Sequence, residues 1–420
     1  MAPLPNAAPP AGRPARGPVR RRHVLYLSGF DPQGPSHYHA LYAEQAALQA
    51  QVSRYRLTVG PRERAGPNAA WDIEWCAADD GASVHTRYEF LRWDDIVRAH
   101  WPRGQWRLLG VTLATTARLL VNGSLWRILQ TSWPAFLALT LPAALLLACV
   151  GGVFVLGAAG TLLAGVAGTW VGGAVFVLGC AGLAAWARRA QARVQMAWLM
   201  RSASVVLRQA RDGLPELQAR LDSFAAQLCE CAARPDVDEV LVVGHSSGAM
   251  LAASVVARAL ELDAALLRHR ASVALLTLGQ CIPLLSYQAE AVGFRRELAR
   301  LRGTAELTWI DVTAPPDGCC FALVDPTEVC EDGRPDTERT LAGPKRVSPR
   351  FARCFSPETY RAVRRDKYRC HFQYLMAVER PGNYDYFEIS AGPQRLSERF
   401  AAQPGVASFT DFQCLGGPRR

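Results

Sequence analysis

Apolar and polar positions follow one pattern at both ends of the chain and another in its middle. In the first third, short apolar runs alternate with polar stretches. His23–Ser28 (HVLYLS) is β-rich, ends at Gly29 and predicts a buried strand; Trp71–Cys76 (WDIEWC) predicts a second. The middle is different: no charged residue occurs from Ile128 to Ala187, a run of 60. Beyond it, Ala197–Ala232 carries apolar residues at helical spacing, and Pro235 ends that helix. Glu239–Val243 (EVLVV) then predicts a strand, Gly248–Leu262 a small-residue helix, Val273–Leu278 a strand, Phe294–Leu301 a helix and Glu306–Val312 a strand. Strands alternating with helices predict the α/β class, with a mostly parallel sheet and helices on both faces.

A helix needs about 20 apolar residues to cross the hydrocarbon core of a bilayer, so the uncharged run has the length of two crossings. The expected helices are Trp133–Leu156 and Leu162–Trp186, with a turn at Gly157–Gly160. Trp126, Trp133 and Trp186 fall at the expected interfaces, whereas Trp170 fits neither. Gly165, Gly168, Gly172 and Gly173 would allow close helix approach. The preceding stretch, Trp106–Gln130, reads as an amphipathic surface helix or a core helix. The resulting division is a basic, disordered tail over 1–22, a first part of the α/β domain over 23–127, a transmembrane hairpin over 128–187 and the rest of the α/β domain over 188–420.

Charge sharpens this picture. The formal net charge is +10, and 11 arginines lie between Ile96 and Arg211 without one Asp or Glu. Arginine flanking an apolar span fits anionic headgroups, so the expected partner is a lipid bilayer and not nucleic acid. Arg118 and Arg127 precede the run and Arg188, Arg189 and Arg193 follow it, which places both ends on the cytoplasmic side. The spans carry no Asp, Glu, Lys, Arg or His to mark an ion or proton path, which argues against a transporter. The first 22 residues lack the apolar core of a signal peptide. The 12 cysteines include no C-x-x-C pair, so neither a metal nor a cofactor is expected.

One motif carries chemistry. Gly244-His245-Ser246-Ser247-Gly248 (GHSSG) follows a predicted strand and opens a predicted helix. That is the setting of a nucleophile elbow, in which a tight turn lifts the serine hydroxyl beside a helix N-terminus. The stretch VLVVGHSSGAMLA resembles the α/β-hydrolase superfamily, and within it the lipases and esterases. The whole chain also resembles bacterial membrane proteins of this architecture, which implies an inner-membrane location.

The resemblance implies an α/β-hydrolase-like fold and a triad in the order nucleophile, acid, histidine. Ser246 is then the nucleophile. Asp317, in the loop after Glu306–Val312, is the expected acid, with Asp311 and Asp325 as alternatives. His371 is the only histidine downstream of Asp317 and the expected base. Gly244 and Gly248 are the elbow glycines. The backbone amides of Phe30 and Ser247 are the expected oxyanion donors, although Ser28–Gly34 departs from the lipase H-G-G-G pattern. His37 and His39 are expected to line the site. The implied function is a membrane-anchored serine hydrolase acting on an acyl or lipid ester; the alternative is a non-catalytic scaffold or receptor on the same fold.

Overall fold

The computed structural model describes residues 17–78, 81–194, 196–211, 213–329 and 343–406. The sheet contains β1 (Arg21–Leu27), β2 (Tyr55–Val59), β3 (Glu63–Ala65), β4 (Asn68–Ala77), β5 (Ser83–Phe90), β6 (Glu239–His245), β7 (Ser272–Leu278), β8 (Thr308–Val312) and β9 (Lys345–Val347). Its order is β2-β4-β5-β1-β6-β7-β8-β9, with β3 paired to β4. From β5 to β9 all neighbours are parallel, and β2, β3 and β4 form an antiparallel edge. The fold is therefore α/β with a mixed, mostly parallel sheet.

The central strands are apolar on both faces because both faces are covered. Leu25, Val240, Val242, Val273 and Leu275 pack on one side with helices Pro215–Ala233 and Gly248–Leu262. Val24, Tyr26, Leu241, Val243 and Leu276 pack on the other with helix Pro35–Ser53 and the C-terminal elements. A buried ion pair joins β1 to β6: Arg22 lies 2.8 Å from Glu239 and donates to the carbonyls of Gly392 and Gln394. The basic tail expected over 1–22 thus stops short of that limit. Arg21 and Arg22 belong to β1, and 1–16 lie outside the described residues.

Two long apolar helices, Trp133–Ala167 and Thr169–Val194, run antiparallel as a hairpin. Each is long and apolar enough to cross a membrane, and only 11% and 6% of their most apolar windows are buried inside the protein. The turn is at Gly168, which has φ 96°, and not at Gly157–Gly160. Gly160 instead serves close approach: a Cβ there would stand 3.0 Å from the carbonyl oxygen of Gly172. A Cβ on Gly165 or Gly173 would have no atom of the described residues within 4 Å. With the turn at Gly168, the exposed Trp170 sits at the hairpin tip, at the opposite end from Trp133 and Trp186.

Two expected helices are broken. Trp106–Gln130 divides into Gln105–Val121 and Ser124–Thr131, bent by 81° where Gly123 takes φ 71°. Ala197–Ala232 divides into Met196–Gln209 and Pro215–Ala233 around Gly213. The Tyr384–Phe387 segment is a packing cluster. Asp385 caps helix Tyr386–Ala391, and the Tyr386 and Tyr88 hydroxyls are 2.7 Å apart.

Candidate functional site

Ser246 lies between β6 and helix Gly248–Leu262, the strand-to-helix turn that the motif implied. Its φ is 57°, a left-handed conformation strained for a serine. The turn closes only because both flanking glycines lack side chains. A Cβ on Gly244 would stand 2.6 Å from both the Ala249 Cα and the Gly248 oxygen, and one on Gly248 would stand 2.5 Å from the Ser28 oxygen and collide with that of Leu27. The Ser246 amide donates to the Leu278 carbonyl at 2.8 Å, tying the elbow to β7.

The loop after β1 packs directly on this turn. A Cβ on Gly29 would meet Ser246 Cβ at 3.0 Å and Oγ at 3.4 Å. The Phe30 amide donates to Ser247 Oγ at 2.7 Å, and Trp198 Nε1 donates to the Phe30 carbonyl at 2.7 Å. Both expected oxyanion donors therefore flank the serine, with the Phe30 N–H taken up by the Ser247 hydroxyl.

Asp317 and His371 are brought together from loop and helix. His371 Nδ1 lies 2.8 Å from Asp317 Oδ2, and both side chains are buried. The carboxylate also accepts from the Tyr374 hydroxyl at 3.1 Å and the Cys319 amide at 3.0 Å. Burial alone would raise the Asp317 pKa, but the His371 charge and these hydrogen bonds outweigh it, and the carboxyl is held below its ordinary value. The His371 ring is 4.9 Å from that of His245, the residue before Ser246, and 5.8 Å from that of Trp198. Among the described residues His371 Nε2 is buried without a hydrogen-bond partner, and Ser246 Oγ lies 3.9 Å from Cys281 Sγ.

The other acid candidates are engaged elsewhere. Asp311 accepts from Thr277 Oγ1 at 2.6 Å within the sheet, and burial pushes its carboxyl up to about 7. Asp325 accepts from the amide and hydroxyl of Thr327. His245 Nε2 donates to the His371 carbonyl at 2.9 Å, and burial, with the charge of His371, pushes its imidazole down to about 3. His37 and His39 do not line the cavity beside Ser246; His39 reaches the Gly60 carbonyl at 2.9 Å.

That cavity is small, at about 20 Å³, room for roughly one water. Its walls come from the hairpin and the helix after it as well as from the α/β domain. Ala135, Ala138 and Leu139 of the first long helix and Trp198, Leu199, Ser202, Ala203 and Val206 of helix Met196–Gln209 stand around Ser246, Cys281 and Cys319. Sequence reasoning missed this entire wall, Trp198 included, because no motif distinguishes residues that act by covering a site. Donor atoms of Asp317, Cys319 and His371 lie within 4.8 Å of one another, a spacing a metal ion could use. Burial and the neighbouring Asp317 raise the Cys319 thiol well above its ordinary range, however, which disfavours the thiolate such a site needs. No family model, curated protein or solved structure matches the chain.

Proposed function

We propose that this chain is a membrane-anchored serine hydrolase that cleaves an ester or acyl substrate through Ser246, His371 and Asp317. The observation that carries the reading is the buried Asp317–His371 pair, its imidazole 4.9 Å from the ring of His245, with the next residue, Ser246, held at φ 57° on a glycine-flanked turn. Ser246 Oγ attacks the carbonyl carbon, and its proton passes to His371 Nε2. Asp317 fixes the proton on Nδ1 and stabilises the imidazolium. Negative charge on the carbonyl oxygen is met by the Ser247 amide at the start of the helix and by the Phe30 amide, freed when the Ser247 hydroxyl rotates away. The ester C–O bond breaks, the departing alkoxide takes the proton from His371, and water then releases the acid from Ser246 by the same steps in reverse.

Ser246 and His371 are not hydrogen-bonded to each other, and catalytic hydrogen bonds of this kind often tighten only in the substrate complex. The two long helices supply the anchor in the bacterial inner membrane. Arginines at both ends of the hairpin support a cytoplasmic α/β domain with both termini on the same side. The closed cavity also suits the second reading, a non-catalytic scaffold that retains the elbow as a turn. The test is fluorophosphonate labelling and hydrolysis of short p-nitrophenyl esters by the full chain in mild detergent. Ser246→Ala should abolish both while leaving the melting temperature unchanged, with a loss of about 10³-fold or more. Undiminished hydrolysis in Ser246→Ala overturns the mechanism, and an unlabelled wild-type protein supports the scaffold.

A further inference from the structure

The helix that walls the Ser246 cavity also walls a second, larger one. Ala135, Ala138 and Leu139 face Ser246, and Pro142, Leu145, Leu146 and Cys149 line a cavity of about 440 Å³. These seven residues recur at helical spacing of three and four, so they form one stripe on one face of helix Trp133–Ala167. From Ala135 to Cys149 the stripe extends about 21 Å. On the facing helix Leu199 and Ala203 line the Ser246 cavity and Met200, next to Leu199, lines the larger one.

The far end of the stripe falls where Trp186 and Arg188 mark the edge of the apolar span. Gly152 packs against Leu183 and Leu156 against Gly179, so Cys149 stands beside Trp186 in the hairpin register. Trp186 is exposed and Arg188 follows it, the pair expected where a span leaves the hydrocarbon. Trp106, Ala184, Ala187 and Arg188 also line the larger cavity, with Gln105 and Thr112 as its other polar side chains. Its walls are thus mostly apolar, with an arginine at the end where lipid headgroups lie.

We infer that this stripe is an acyl path, and that the substrate is a long-chain fatty acyl ester entering from the bilayer, with its chain in the larger cavity and its carbonyl at Ser246. The inference rests on the serine-hydrolase reading and adds the substrate class to it. A chain of about 21 Å suits a long fatty acid and leaves a short acid with nothing to fill the cavity. Hydrolysis consumes one water and gives the free fatty acid and the alcohol, as above.

The experiment compares kcat/KM for p-nitrophenyl esters from four to sixteen carbons, with the full chain in one mild detergent at fixed concentration. Wild type should favour the sixteen-carbon over the four-carbon ester at least tenfold. Ala187→Trp, and separately the milder Ala184→Leu, narrow the larger cavity and should shift the optimum to shorter chains, Ala187→Trp lowering the long-to-short ratio at least tenfold. Labelling by a short fluorophosphonate reports whether each variant is folded. A flat wild-type profile, or an unchanged ratio in a labelled variant, overturns the acyl path and leaves the hydrolase reading standing. Absence of both labelling and hydrolysis in wild type overturns the two together.

Discussion

Replacing Asp317 by Asn separates the roles of the three acids near the site, and the structure fixes what the change does. The carboxylate accepts three hydrogen bonds, from His371 Nδ1 at 2.8 Å, the Tyr374 hydroxyl at 3.1 Å and the Cys319 amide at 3.0 Å. In Asp317→Asn the amide oxygen keeps the Cys319 N–H, because that bond anchors the turn. The amide NH₂ then points at His371 and must donate where the carboxylate accepted. His371 Nδ1 becomes an acceptor, its proton moves to Nε2, and Nε2 can no longer take the proton of Ser246. The imidazolium also loses its counter-charge in a fully buried place. A wrong tautomer in a triad of this kind costs about 10⁴-fold in kcat. The packing change is small, since Asn and Asp are nearly isosteric and relief of carboxylate burial offsets the lost ionic hydrogen bond. The assay is hydrolysis of a short ester alongside a melting curve. We expect a loss of three to four orders of magnitude with a melting temperature near wild type. A rate within tenfold of wild type in a folded Asp317→Asn protein refutes the assignment.

Asp311→Asn provides the contrast. Its folded pKa is raised to about 7 by burial, from 3.8 in the unfolded chain. Between those values the folded state holds a proton that the unfolded state has released, so wild-type stability falls as pH rises through this window and the penalty is complete above it, on the order of 4 kcal/mol. Asp311→Asn should therefore melt progressively higher than wild type as pH rises from 4 to 7, with the rate unimpaired; a pH-independent difference contradicts the buried neutral carboxyl. The hairpin predicts that the protein stays in the membrane fraction after alkaline carbonate washing, and that a cysteine at position 170 reacts with an impermeant thiol reagent from the side opposite a C-terminal reporter. Modification of both from one side excludes the two-crossing arrangement.

The sequence displayed what short-range patterns encode. The apolar strand before the elbow and the small-residue helix after it fell within two residues of their observed limits, since both are buried and their boundaries are marked by Gly244 and Gly248. The pairing of Asp317 with His371 followed only from the order of residues in a resembling family; nothing in composition links positions 54 apart. The hairpin turn was misplaced because glycine serves both reversals and close packing. Gly157 and Gly160 looked like a turn, and Gly160 proved to be a contact point for Gly172. β5 escaped notice because its inward positions alternate with charges. Arg87 finds Glu63 and Asp72 and Glu89 finds His23 only once the strands are paired, so the compensation is invisible along the chain.

The length of the first long helix links anchor and site. A helix of 35 residues extends about 52 Å, while the hydrocarbon core is about 30 Å thick. An anchor alone has no use for the surplus. The surplus lies at the N-terminal end, where Ala135, Leu139 and Pro142 are buried against the rest of the protein and the more distal residues are mostly exposed. Pro142 divides the two stretches. Lacking an N–H, it leaves the Ala138 carbonyl without its helical partner, and the helix is least restrained there. Ala138 lines the Ser246 cavity and Pro142 the larger one, so the weakest point of the helix falls between them. A cavity of about 20 Å³ cannot admit an ester without displacement of a wall. The wall beside this proline belongs to the long apolar helix, so on the hydrolase reading the site opens only if that helix or helix Met196–Gln209 shifts.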